Sequence, residues 1–191
     1  MDKKRRRWPW VLAGVLLLSV TVWYIRVQYY GLMNCGTSVE DMTQYVEQMV
    51  KGKDIYDMKI AVRKTARGSR MQAILYEEYR ESDPDWKYGY VIFFERQLFG
   101  LRLRHVGMNS WKEGELYRSG HWNSGGRCDM AVYGDNRNGR AAGYYMADAP
   151  EVRREDLESD YILDLYILAG IDHLPDELRR MDAEWSEYGK I

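Results

Sequence analysis

The chain has 191 residues, 46% of them hydrophobic and 30% charged, a composition that suits one globular domain with a short appendage. Residues 1–26 hold six basic residues against Asp2 alone, which leaves 22 basic and 28 acidic residues, a net of −6, for 27–191. Phosphates would be repelled by that balance on average, so nucleic acid and anionic surfaces are disfavoured as main partners.

The first element is a basic run, Lys3-Lys4-Arg5-Arg6-Arg7, followed by 18 residues from Trp8 to Ile25 without a charge. A helix crosses a ~30 Å hydrocarbon core with about 20 residues, and the accepted range starts near 17. Trp8 and Trp10 at one end and Trp23 and Tyr24 at the other match aromatic belts. Pro9 falls in the first turn, where its missing N–H costs nothing. These features predict a cytoplasmic basic tail over 1–7 and a single transmembrane anchor over 8–26. The charge bias puts the N-terminus inside and the rest of the chain outside, so the expected location is the cell membrane, single-pass. Residues 27–37 read as a tether and 38–191 as an extracytoplasmic globular domain. Three rivals arise. A buried core helix of this apolarity does not suit five consecutive basic residues beside it. A cleaved signal peptide fits the basic start, but no small-x-small site follows Ile25. Lipidation at Cys35 would need a small residue before the cysteine, and Asn34 stands there.

Cys35 and Cys128 are the two cysteines. Outside the cytoplasm an even count permits one disulfide between them; two separate thiols fit equally well. Thr37-x-x-Glu40 has capping-box spacing, and Val39, Met42, Val46, Met49 and Val50 follow at helical intervals before Gly52. A helix starting at Thr37 or Ser38 is predicted. Tyr56, Met58, Ile60 and Val62 then alternate as a strand with one wet face. Met71, Ala73 and Leu75 alternate in a second strand, with Ile74 and Tyr76 on its other face. Trp86 to Glu95 is apolar at almost every position through Val91-Ile92-Phe93-Phe94, which predicts a central strand covered on both sides. Leu101 to Arg104 makes a fourth strand. Asn109 to Gly126 reads as an irregular, Gly-rich surface stretch. Cys128–Tyr133 and Ala141–Met146 frame Asn138-Gly139, a tight-hairpin signal because both residues accept positive φ. Tyr161–Leu168 is a further strand. Pro175, Asp176 and Glu177 then open an expected C-terminal helix with Leu178, Met181, Trp185 and Tyr188 as its stripe. The expected fold class is α+β: a mostly antiparallel sheet with an N-terminal and a C-terminal flanking helix, preceded by one transmembrane helix.

Chemical motifs are scarce. G-x-S-x-G, H-E-x-x-H, the P-loop and C-x-x-C are all missing from the sequence. Asp135-Asn136-Arg137-Asn138-Gly139 resembles a calcium loop only until Arg137, where an oxygen ligand is required. His105, His121 and His173 are too scattered for a zinc site. Cys128 has His121 seven residues before it, but a Cys–His nucleophile needs the fold to join them. Ser119-Gly120-His121 and Ser124-Gly125-Gly126 could bind an anion only with a following helix. No acid pair stands out among the 28 carboxylates of 27–191. Catalytic, cofactor-binding and metal-binding residues are therefore expected to be none, with Cys35 and Cys128 as the disulfide candidates, and the balance points away from an enzyme.

Tyr90-Val91-Ile92-Phe93-Phe94-Glu95 with Leu98-Phe99-Gly100, and Val132-Tyr133-Gly134-Asp135-Asn136, resemble segments of short uncharacterised membrane-anchored proteins of Gram-positive bacteria. The resemblance covers residues 86–146. It implies an envelope location and transfers no catalytic residue. The resulting expectation is an envelope module that binds a partner protein or wall component through an aromatic-rich domain. Its expected partners are the membrane, through the N-terminal helix, and no nucleic acid. The alternatives are a wall-facing hydrolase or transferase and an accessory subunit of a membrane complex.

Overall fold

The structure is a computed structural model that describes residues 8–29, 34–53, 57–83, 85–97, 100–122, 127–137 and 141–182. The chain divides into two compact units, Met1–Cys35 and Gly36–Ile191.

The first unit holds helix α1, Trp8–Tyr29, and a two-residue strand β1, Asn34–Cys35. Leu16, Leu17 and Leu18 are about 70% exposed, and large apolar side chains are exposed from Trp10 to Tyr24. Among the described residues, no helix is long and apolar enough to cross a membrane. The transmembrane anchor expected over 8–26, and the single-pass membrane character with it, is corrected on that finding.

The second unit opens with α2, Val39–Lys51. Ser38 is its N-cap: the Ser38 hydroxyl accepts from Asp41 N–H, and the Asp41 carboxylate accepts from Ser38 N–H. The capping box thus sits one residue later than Thr37–Glu40. Met42, Val46 and Val50 face inward. Four antiparallel strands follow, β2 (Met58–Arg67), β3 (Met71–Arg80), β4 (Lys87–Gln97) and β5 (Arg102–Trp111), in the order β5-β4-β3-β2. Val91–Phe94 are buried in β4, inside that sheet, as their two-sided apolarity predicts. A second sheet has the order β10-β7-β6, from β6 (Leu116–Trp122), β7 (Arg127–Asp135) and β10 (Tyr161–Ala169). A third has the order β11-β8-β9, from β8 (Ala141–Met146), β9 (Ala149–Arg154) and β11 (Leu178–Asp182).

The sheets stack in layers because β7 and β10 are apolar on both faces. Ala131, Tyr133 and Leu163 meet Ala73, Leu75, Val91 and Phe93 of the first sheet. Met130, Val132, Ile162 and Leu168 turn the other way, toward Ala141, Tyr144, Met146 and Val152 of the third. Helix α2 covers the far face of the first sheet, where Tyr45 meets Phe94 edge-on at 5.6 Å.

The α+β expectation is corrected. The described residues are 55% strand and 20% helix, mostly antiparallel β, and among them the sheets are three. The C-terminal helix is also corrected: Leu178–Asp182 pair with β8, Leu178 opposite Met146 and Met181 opposite Gly143. The i, i+3 spacing of Leu178 and Met181 suits a helix, but the open edge of β8 offers backbone partners and Gly143 leaves room for the Met181 side chain; tertiary pairing overrides local spacing. Trp185 and Tyr188 lie outside the described residues, as do Asn138 and Gly139. The strands flanking that turn, β7 and β8, belong to different sheets. The Asn136 side chain closes the connection, donating to Ala141 C=O at 3.0 Å and accepting from Ala141 N–H at 3.1 Å.

Candidate functional site

Glu77 and Glu78 end the buried part of β3 and are 2% and 1% exposed. A buried carboxylate persists only when its charge is met, and the pleat sends these two to opposite faces. Glu78 faces the α2 side and takes a 2.8 Å bond from Lys53 Nζ. Glu77 faces the second sheet. Its Oε2 accepts from Arg63 Nε at 2.8 Å and Nη2 at 2.6 Å. Arg63 reaches it because β2 carries a bulge between Val62 and Lys64, opposite Tyr76 and Leu75. The extra residue of a bulge is re-aimed out of the regular alternation. Glu77 Oε1 takes the Tyr161 hydroxyl at 3.3 Å and Arg137 Nη2 at 3.2 Å.

Arg137 follows the end of β7. Gly134, at φ +146°, bends that strand where a Cβ would lie 2.1 Å from Glu115 C=O. Asp135, one residue on, is fully engaged: Oδ1 accepts from Arg137 N–H at 2.7 Å, and Oδ2 accepts from Arg137 Nε at 2.8 Å and Nη2 at 2.6 Å. One guanidinium nitrogen thus bridges two buried carboxylates, and Glu113 approaches it at 3.7 Å. These bonds hold the Arg137 guanidinium firmly protonated, with Asp135 the largest contributor. The rings of Tyr161 and the cations of Arg63 and Arg137 stack at 5.3 Å.

This cluster forms the inner wall of a cleft of about 350 Å³ lined by Glu77, Asp85, Lys87, Tyr88, Gly89, Trp111, Lys112, Glu113 and Arg137. That size lies at the low end of the roughly 300–1,000 Å³ of small-molecule sites. Its floor is one row across the first sheet, because Glu77 pairs with Gly89 and Gly89 with Trp111. A Cβ on Gly89 would lie 2.2 Å from the indole, so glycine lets the Trp111 ring lie over β4. Trp111 is 5% exposed, and its indole N–H has no acceptor among the described residues.

The residues singled out in the sequence lie elsewhere. Cys35 and Cys128 are both buried and carry no disulfide. His121 and Cys128 sit on neighbouring strands, but His121 pairs with Asp129 and Cys128 with Trp122. Alternation therefore sends the imidazole and the thiol to opposite faces. Burial and then Asp129 push the Cys128 thiol above its ordinary value, which disfavours the thiolate a nucleophile needs. Ser119, Gly120 and His121 belong to strand β6, not to a surface loop. They border a cavity of about 80 Å³ shared with Met71, Phe93 and Asn109, too small for a metabolite. Ser124–Gly126 fall outside the described residues. His105 bonds the Tyr45 hydroxyl at 3.1 Å, and His173 pairs with Asp172 at the surface. No cluster of three metal-ligating side chains occurs among the described residues.

The sequence reading passed over Glu77 and Arg63, and met Asp135 and Arg137 only as a calcium loop that fails. The signal for Glu77 was present: two acids extend an apolar run, Ala73 to Tyr76, that faces both ways. Charges there need buried partners. The partners could not be read, since Arg63 depends on a bulge and Arg137 on the path between two sheets.

No protein-family model, curated protein or solved structure matches the chain.

Proposed function

We propose that residues 36–191 form a non-catalytic binding module for an envelope protein or wall component, with the cleft over Glu77, Gly89 and Trp111 as the ligand site. The observation that carries this reading is the state of the inner-wall carboxylates. Both oxygens of Glu77 and both of Asp135 already accept bonds from guanidinium, phenol or backbone N–H groups. A general acid or base has to exchange a proton with substrate, whereas these groups hold the wall rigid, which favours recognition. A location outside the cytoplasm belongs to the same proposal and rests on the resemblance of Tyr90–Glu95 and Val132–Asn136 to segments of envelope proteins.

The test places a photo-crosslinking amino acid at exposed Lys112, on the cleft rim, and separately at exposed Lys59, away from it. Irradiated intact cells should give a defined adduct from position 112 and none from 59, and purified protein should leave the captured molecule unchanged. Equal adducts from both positions, no adduct, or chemical conversion of the captured molecule would each overturn the reading. A membrane-impermeant lysine reagent applied to intact cells should modify residues of 36–191; protection would overturn the location.

A further inference from the structure

Resting on that cleft being the ligand site, we infer that its ligand is a small zwitterion with a free carboxylate and a free ammonium, such as an amino acid or short peptide. The inner cluster is already neutral, since Arg63 and Arg137 face Glu77 and Asp135. What it leaves at the cleft wall is donor capacity. The Trp111 indole N–H has no acceptor, and Arg137 Nη1 takes no part in the bonds to Asp135 and Glu77, among the described residues. A donor left unmet at a partly buried wall favours an acceptor brought to it over one left at open surface.

The rim carries both signs. Lys87 and Lys112 are exposed and form no ion pair among the described residues; the same holds for Asp85. Glu113 has only the 3.7 Å approach to Arg137. An anion would be attracted by the lysines and repelled by Asp85 and Glu113; a cation would meet the reverse. A zwitterion satisfies both, with its carboxylate toward Trp111, Arg137 and the lysines and its ammonium toward Glu113 and Asp85. The ordered strand row beneath it, with the indole seated over Gly89, provides the fixed surface that such two-point recognition needs.

The experiment titrates the full chain with the twenty free amino acids and the twenty Xaa-Ala dipeptides, read by tryptophan fluorescence and calorimetry. N-acetylated, C-amidated and doubly capped forms of the tightest binder, and cellobiose as a neutral polyol, complete the set. Capping either end of the binder should weaken it at least tenfold. Lys87→Gln and Glu113→Gln, both on the exposed rim, should each weaken the uncapped ligand at least fivefold while the far-UV spectrum and melting midpoint stay unchanged. No binding by any amino acid or dipeptide, equal binding of capped and uncapped forms, or tighter binding of cellobiose overturns the inference. Should the position-112 adduct form while these titrations fail, the module stands and only its ligand class falls. Should both fail, the cleft is not a ligand site.

Discussion

At the scale of single residues, the fold depends on groups whose neighbours leave them no alternative. Phe93 is 5% exposed and meets Tyr133 edge-on at 5.8 Å between the first and second sheets. Phe93→Ala should cost about 3–5 kcal/mol, measured as the shift in denaturant unfolding at constant slope. Glu77 is a different case. Glu77→Gln keeps the shape and removes the charge that Arg63 and Arg137 share. Breaking a buried pair costs about 3–5 kcal/mol, and the partly exposed cations reduce this to about 2–3 kcal/mol. Chemical denaturation at two salt concentrations checks it: the loss should change little with salt, since partly buried pairs are screened much less than exposed ones and Glu77 itself is buried. A loss below 0.5 kcal/mol would mean that the cluster contributes nothing to stability.

At the scale of elements, α2 and its docking were legible, and so was the interior position of β4. Their signals are local: apolar residues at helical spacing behind a cap, and an apolar run too long for a wet face. The C-terminal strand was not legible, because Leu178 and Met181 fit either period and only the free edge of β8 decides between them. The Gly-rich stretch failed for a related reason. Gly120 looks like loop, but in β6 it admits the Leu174 side chain, which would lie 2.3 Å from a Cβ there. The candidate site was hidden for the same cause, being assembled from three strands and three connections whose neighbours are set by the stacking. The docking of α2 also makes a pH prediction. Burial holds the His105 imidazole below its ordinary value of 6.5 while Tyr45 bonds its Nδ1. As pH falls through 6.5 the unfolded chain takes up a proton before the native one, so this contribution is lost on acidification. The fall in unfolding free energy between pH 7.5 and 5.5 should therefore be smaller in His105→Phe than in the parent chain. An identical fall would exclude His105 as a source.

At the scale of the whole molecule, tyrosine governs alkaline behaviour. Burial is the first cause of a raised value at Tyr76, Tyr90, Tyr117, Tyr133, Tyr144, Tyr161 and Tyr166, with Tyr117 pushed up to about 12. Above pH 10 the unfolded chain loses phenolic protons that the native chain keeps, so stability is full below pH 10 and falls beyond it. Burial lowers Lys64, which acts in the opposite direction, but one lysine is outnumbered. Unfolding free energy should decline steeply between pH 10 and 11. Tyr144→Phe should lower stability at neutral pH, through loss of the 2.6 Å bonds to Asp164 and Tyr166, and should make the alkaline decline shallower. An unchanged slope would remove Tyr144 from the account.

The middle position of β7 carries one more consequence, for the timing of motion. Its residues from Cys128 to Asp135 are all buried, with β6 and β10 bonded along its two edges and a sheet over each face. No partial opening of an outer layer frees its amides; at least two layers have to separate first. In deuterated solvent, amide protons of Met130–Tyr133 should be the last to exchange, with a protection free energy equal to that of global unfolding. Those of β9 and β11, which border a single neighbour each, should exchange well before. Early exchange in β7 would mean that the layers part from one another in the native state.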